Sequence, residues 1–443
     1  MNKLFKNIIA IVVSSTLICG CSMNKTVTLS EDVKVEQLAI NNNTVKVEEK
    51  LLDLNLKKDE RFFSTFYDGD MLLGTIGLND AEIIYNGTKE YGFLGVAKPN
   101  IYSLDKNGVF KETNKKVESL VEENNGKLVY SGMLKNYNED NGNSYLNYID
   151  YEKSNEKKQV VKFKDLYKEL FNLNGSYGTS NFEEIVEGRE NFIAAYSFTE
   201  FIKQGNDNEI ISKFTDKGNN NKIFIKLLDM EKNKLYESDN INTEIIKIIY
   251  IKSIDSFIAI DKNANCYKLD INDNKIEFKK FSNIDIGDIG EIRREQVVIV
   301  DEDTIAITSL KYSENQIINY SFKNNKSTVL MKVNKDENVT IQAYYPKENL
   351  IVLSKSYKMK IKARDNREES SYKDVYLAQM KNNKIEIFHK LKNMDKENEL
   401  YIWNKITVNR KGDELFIARY LAVPEINSLE NWRTTYEFVN IKR

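Results

Sequence analysis

Histidine is nearly missing from this chain: His389 stands alone among 443 residues. One imidazole excludes His-rich metal centres and leaves a Ser-His-Asp triad without support, because that chemistry needs an imidazole titrating near neutral pH. Cysteine is scarce too, with Cys19, Cys21 and Cys266 only; Cys266 has no partner with which to close a disulfide and reads as a small buried apolar residue in a strand. There are three prolines, and no Pro/Gly/Ser-rich linker divides the chain beyond residue 43, so one domain is expected there. Neither sign of charge dominates. The 65 Lys+Arg residues against 67 Asp+Glu give a net charge of −2, and no half of the chain is a basic block, which excludes nucleic acid as an obligatory partner. What the chain does have, 41% hydrophobic and 11% aromatic residues, suffices for a large core.

The N-terminus carries an address. Lys3 and Lys6 precede an apolar stretch over residues 8–18, too short to span a hydrocarbon core of about 30 Å, and this predicts a secretory signal over residues 1–20. The stretch ends Leu17-Ile18-Cys19-Gly20-Cys21. An aliphatic residue, then a small residue, then cysteine resembles the bacterial lipoprotein signal, with Cys19 replacing the usual small residue at −2. The resemblance implies cleavage before Cys21, acylation of that cysteine and attachment to the extracytoplasmic face of a cell membrane. Two or three acyl chains anchor stably where one is marginal. Residues 21–43 then read as a polar tether. The Asn-, Ile- and Lys-rich composition suits a single-membrane bacterium.

Residues 44–443 repeat one pattern seven times: an alternating segment, a tight polar turn, a short apolar β-forming run, a variable loop, a second alternating segment and an Asn/Lys turn before a last segment. The tight turns fall at 68–70, 124–127, 187–191, 253–255, 301–303, 346–349 and 410–413, and the apolar runs follow at 71–77, 128–134, 192–198, 257–261, 305–310, 350–356 and 415–421. A four-stranded antiparallel unit of this length cannot cover its own two faces, and a ring supplies each unit with neighbours. The expected fold is therefore all-β, a seven-bladed β-propeller of four-stranded antiparallel blades, with six or eight blades as alternatives and a β-sandwich as the competing architecture. The final unit lacks a fourth strand, while residues 42–51 match the fourth-strand segment 382–391 in spacing. The N-terminal strand, within 44–54, is thus expected to close the last blade. The resemblance to propeller lipoproteins is architectural and carries no activity.

Motifs that would carry an activity are missing. With Trp403 and Trp432 only, Trp-dependent propeller repeats of the sialidase, WD and quinoprotein types are excluded throughout the ring. Asp270-Ile271-Asn272-Asp273-Asn274 has the alternating acceptors of a calcium loop but Lys275 and Phe281 where that loop needs Gly and Glu, so it reads as a plain turn. His389 is expected on an outer strand in water. The long connections at 78–99, 135–143, 199–220, 357–373 and 422–434 are read as loops on one face, where propellers tolerate variation. Their residues Phe201, Arg364, Arg367, Trp432 and Arg433, with Trp403 on an innermost strand, are the candidate binding residues, being of types enriched at interaction sites. No catalytic residue, metal ligand or cofactor is assigned. The sequence points first to a binding or scaffold module for a protein, peptide or glycan, with a carbohydrate-active envelope enzyme or an accessory subunit of a membrane complex as alternatives.

Overall fold

A computed structural model describes residues 38, 40, 44–57, 60–68, 70–85, 88–94, 100–116, 119–124, 127–131, 145–150, 158–162, 183–198, 223–239, 241, 243–287, 291–292, 294–311, 314–334, 338–361, 367–393, 400–409, 411–422 and 433–443. Among them the secondary structure is strand, apart from short 3-10 turns at Lys252–Ile254 and Arg294–Gln296. No helix among the described residues is long and apolar enough to cross a membrane.

The strands follow the repeated pattern. β1 is Lys46–Leu52. Then come β2 (Glu60–Asp68), β3 (Met71–Tyr85), β4 (Thr88–Leu94), β5 (Asn100–Leu104) and β6 (Phe110–Lys116). The next group is β7 (Ser119–Asn124), β8 (Lys127–Ser131), β9 (Tyr145–Asp150) and β10 (Lys158–Lys162). Two groups follow, β11 (Glu183–Ile185) to β14 (Lys234–Ser238) through β12 (Phe192–Phe198) and β13 (Ile223–Asp229), and β15 (Ile245–Ile251), β16 (Ser256–Asp261), β17 (Asn265–Asn272) and β18 (Lys275–Asn283). The C-terminal part holds β19 (Val297–Ile299), β20 (Thr304–Lys311), β21 (Glu314–Ser321), β22 (Lys326–Asn334), β23 (Asn338–Tyr345), β24 (Leu350–Ile361), β25 (Arg367–Lys381), β26 (Lys384–Lys390), β27 (Leu400–Val408), β28 (Glu414–Ala422) and β29 (Arg433–Lys442).

Consecutive strands pair as antiparallel meanders. Four sheets have the orders β10-β9-β8-β7, β19-β20-β21-β22, β23-β24-β25-β26 and β1-β29-β28-β27; another runs β2-β3-β5-β6 with β4 on β3. The groups β11–β14 and β15–β18 form one eight-stranded sheet through a short parallel contact, Glu237 with Lys275 and Ser238 with Ile276. The first strand completes the last sheet: β1 pairs with β29 from Lys46 opposite Lys442 to Leu52 opposite Tyr436.

Apolar side chains fill the gaps between successive sheets. Ile258, Ile260 and Cys266 pack on Ile305, Ile318 and Tyr320. Ala306 and Ile317 pack on Ile351, Leu353 and Ile387. Val352, Leu377 and Phe388 meet Leu415, Ile417 and Val439, and the last sheet in turn meets the first, Phe416, Tyr436 and Phe438 against Phe62, Leu72 and Leu104. The β17–β18 connection is a two-residue turn with Asp273 at φ +53°, and Asp270 Oδ2 accepts from Lys279 Nζ at 2.6 Å rather than facing a common centre with its neighbours. Asn382 and Asn383 take positive φ in the β25–β26 turn, as the Asn/Lys pattern requires.

Two segments expected as loops are strand. β3 runs past its pairing with β2 and forms a hairpin with β4, from Leu78 opposite Leu94 to Tyr85 opposite Thr88. β24 and β25 continue together beyond β23 and β26, from Tyr357 opposite Ser371 to Ile361 opposite Arg367. The alternation Tyr357, Met359, Ile361 against Lys358 and Lys360 has the period of a two-faced strand, and that period extends the ladder where charge density suggested a loop. These hairpins are called arms below.

A candidate interaction face and the charge cluster beneath it

Contacts between tight turns define one end of the molecule. Lys411 Nζ, in the β27–β28 turn, lies 3.7 Å from Asp70 Oδ1 in the β2–β3 turn. On its other side Gly412 abuts Glu348 of the β23–β24 turn so closely that an added Cβ would stand 2.2 Å from the Glu348 Cβ. Arg443 donates to the carbonyls of Glu348 and Asn349. The Ser253 amide, after β15, donates to the Glu302 carbonyl before β20 at 2.9 Å, and the Tyr250 amide donates to the Glu187 carbonyl before β12 at 2.9 Å. Turns between the first and second strands of adjacent sheets therefore share one end. The connections between second and third strands leave from the opposite ends of the same strands, so both arms lie at the end where β28 finishes at Ala422 and β29 begins at Arg433.

The last sheet lies between the two that carry arms. Its inner strand β27 reaches this end through Trp403, opposite Tyr420, and Tyr420 stacks on Phe63 of β2 at 6.0 Å between ring centroids. Deeper in, the hydroxyls of Ser64 and Thr407 bond across the two sheets at 2.7 Å. Tyr436 accepts the Phe62 amide at 2.9 Å through its hydroxyl. These contacts fix the inner strand of the first sheet to β27, β28 and β29 of the last.

A buried charge cluster underlies the same region. Arg419 of β28, with its side chain 0% exposed, donates from Nε to Glu437 Oε1 of β29 at 2.7 Å and from Nη1 to the Lys392 carbonyl at 2.8 Å. Lys392 also donates its backbone N–H to Glu49 Oε2 at 3.0 Å, and Glu49 Oε1 takes a 2.7 Å bond from His389 Nε2. One residue beyond β26 thus ties the Arg419–Glu437 pair to the Glu49–His389 pair, and Glu49 belongs to β1. Burial lifts the Glu437 carboxyl above the ordinary carboxylate range, with Arg419 opposing. Burial also pushes Glu49 upward, but the His389 and Lys392 bonds outweigh it and hold that carboxyl below its usual value. Two carboxyls displaced in opposite directions would suit acid and base roles. Here both are enclosed, with side chains 3% exposed, so the cluster positions strands rather than meeting a substrate.

The expectation of a solvated His389 is corrected. It does lie on an outer strand, yet it is only 23% exposed because β1, supplied from the other end of the chain, brings Glu49 against it. Arg367 and Arg433, assigned to loops, are strand residues: Arg367 begins β25 on an arm and Arg433 begins β29 at the same end as Trp403. Those three candidates are brought to one end of adjacent sheets. Cys21, Phe201, Arg364 and Trp432 lie outside the described residues, although Trp432 directly precedes Arg433. Sequence reasoning missed Arg419 and Glu437; the signal was a cation inside the apolar run 415–421 and an anion between the apolar Tyr436 and Phe438. Among the described residues no group of three or more His, Cys, Asp or Glu could hold a metal ion.

No family model matches the sequence, and no curated protein matches it. Among solved structures, an oligogalacturonate lyase in complex with manganese is similar at a TM-score of 0.50 and 12% identity, over 93% of this chain and 97% of that chain. A catalytically inactive virginiamycin B lyase from Staphylococcus aureus with quinupristin is similar at a TM-score of 0.39 and 12% identity, over 89% of this chain and 99% of that chain. With the strand orders above, the likeness to the first gives the class: a β-propeller-type fold. At such identity the likeness is one of fold alone.

Proposed function

We propose that this chain is a lipid-anchored, seven-bladed propeller on the extracytoplasmic face of a bacterial cell membrane, and that it acts as a binding or scaffold module through its arm end. The blade count comes from taking the eight-stranded sheet as two four-stranded blades joined by only two residue pairs. The membrane attachment rests on Leu17-Ile18-Cys19-Gly20-Cys21. The observation that carries the binding role is the convergence of both arms, Trp403, Arg367 and Arg433 at one end of three adjacent sheets. The titratable cluster below that end is sealed, which favours recognition over catalysis. The partner class is a protein, peptide or glycan of the envelope.

Metabolic labelling with an alkynyl fatty acid tests the anchor: label in the wild-type protein and none in Cys21→Ser is expected, and equal label in both refutes it. Photo-crosslinking side chains placed at Ser370 and Arg433, with Asn324 at the turn end as control, test the face. Adducts specific to the first two positions are expected, whereas adducts at Asn324 alone, or hydrolysis of an envelope polysaccharide by the purified protein, overturn the binding role.

A further inference from the structure

Beyond the arm-end role, we infer that a second copy of this chain docks on the free edge of β1, the two β1 strands pairing antiparallel about a two-fold axis at Glu49. β1 is the outermost strand of its sheet, with β29 on one side and, among the described residues, no strand on the other. Among the same residues no backbone hydrogen bond leaves that free edge. Such an edge is a template for one more strand unless its side chains oppose the addition.

The side chains of β1 suit β1 itself as the partner. In an antiparallel pair centred on Glu49, Glu48 of each copy stands opposite Lys50 of the other, and Val47 of each opposite Leu51 of the other. The two-fold repeats each match, so the contact is isologous and closed. Centres one residue away set Lys46 against Lys50, or Lys50 against itself, and a half-residue shift toward the N-terminus sets Glu48 against Glu49. The Glu48 face is not short of cations, since Lys46 lies beside it and Lys442 bonds to it. The pairing therefore uses the opposition of Glu48 to Lys50, not an excess of one sign. Glu49 meets its own copy at the axis, but its carboxylate is 3% exposed and is taken by His389 at 2.7 Å and the Lys392 amide at 3.0 Å. What approaches there is backbone, not free charge.

Leu51 is the second observation. It is 56% exposed, whereas the outer strands β22 and β26 expose no large apolar side chain among their described residues. Leu51 shares a face of β1 with Val47, which packs half-buried on the cluster between the last two sheets. A Leu51 from the second copy extends that apolar contact outward and loses its own exposure. The molecule already joins two outer strands edge to edge: β14 runs beside β18, with Glu237 opposite Lys275. One ladder of seven residues is a small interface, so a micromolar dimer is expected.

Sedimentation velocity of the full-length protein in non-ionic detergent, from about 1 to about 100 µM, reads the dimer. Glu48 and Lys50 are both exposed, so exchanging their charges spares the fold. Glu48→Lys alone sets lysine against lysine at both matches, and Lys50→Glu alone sets carboxylate against carboxylate; each should weaken association at least about ten-fold. An equimolar mixture of the two variants should recover the wild-type affinity, because every match between unlike chains is again Glu against Lys. Leu51→Asn should weaken association about ten-fold and leave the guanidinium midpoint unchanged. Wild-type protein that stays monomeric at about 100 µM, single variants that dimerise as wild type does, or a mixture of folded variants that stays monomeric overturns the inference and leaves the arm-end role standing. Should either charge variant unfold, cysteines at Glu48 in one tagged chain and at Lys50 in another decide, with Cys266 silent because it is fully buried. Disulfides between unlike chains should exceed those between like chains about five-fold, and equal yields overturn the pairing.

Discussion

Arg419 and Glu437 show what one enclosed ion pair does for strand order. Removing a single partner of a buried pair costs about 3–5 kcal/mol, because the other charge is left in an apolar medium, whereas replacing both by apolar side chains can be neutral. Arg419→Met should therefore destabilise the protein by about 3 kcal/mol at neutral pH in guanidinium unfolding, and Arg419→Met/Glu437→Leu should recover most of that loss. The sign of the pH dependence follows from Glu437. Its folded carboxyl already sits high, and without Arg419 it sits higher, so it binds a proton in the folded state where the unfolded chain does not; the penalty in Arg419→Met should shrink as pH falls. A penalty independent of pH would mean that lost packing, not the orphaned charge, is responsible. Cys266 offers a second check at this scale. Burial raises its thiol to about 12, so it should ignore maleimide at pH near 8 and react only on global unfolding. Labelling on the timescale of a free thiol would show that the β17 region opens locally.

At the scale of elements, much of the pattern was legible and the departures have clear causes. Tight turns and apolar runs located the second and third strands, since a period of two and left-handed Asn turns are local signals. The second arm was not legible because residues 357–371 hold five cations and three anions, and composition masked the period of two. The partner of His389 was not legible at all: Glu49 is 340 residues away and reaches it only because β1 is the outer strand of the last sheet. That contact gives a pH prediction. A carboxyl held below its unfolded value contributes stability that is fully present above the ordinary carboxylate range and is lost as pH falls through the folded value. Glu49→Gln should cost about 2 kcal/mol at pH 7, the worth of charge-assisted hydrogen bonds, and the difference from wild type should fade in unfolding curves taken between pH about 5 and about 3. A constant difference across that window would assign the effect to shape rather than charge.

For the molecule as a whole, the telling contact is the one between chain ends. An open array of meanders has two unpaired edges and two uncovered faces, and each is a source of fraying and of aggregation. β1 removes both liabilities at once: it supplies seven residue pairs along β29, lays Val45 and Val47 against the cluster between the last two sheets, and sends Glu49 to the β26 strap. Spatial position, not chain order, is what this requires. Lys46 and Lys442 face each other as the terminal pair, the relation that Lys384 and Lys381 have across the Asn382-Asn383 turn. A permuted chain should therefore fold: residues 46–52 are deleted from the N-terminal side and fused after Lys442 through an Asn-Gly turn, which suits a two-residue hairpin. Its stability in guanidinium should fall within about 2 kcal/mol of wild type. Simple deletion of residues 46–52 should instead cost at least about 5 kcal/mol, the burial of Leu52 and partial burial of Val47 plus the stranded charges of the strap, and should leave β29 amides exchanging rapidly with solvent. If deletion and permutation were equally harmful, the strand's covalent link to β2 would be its contribution, and pairing with β29 would not be what holds the ring shut.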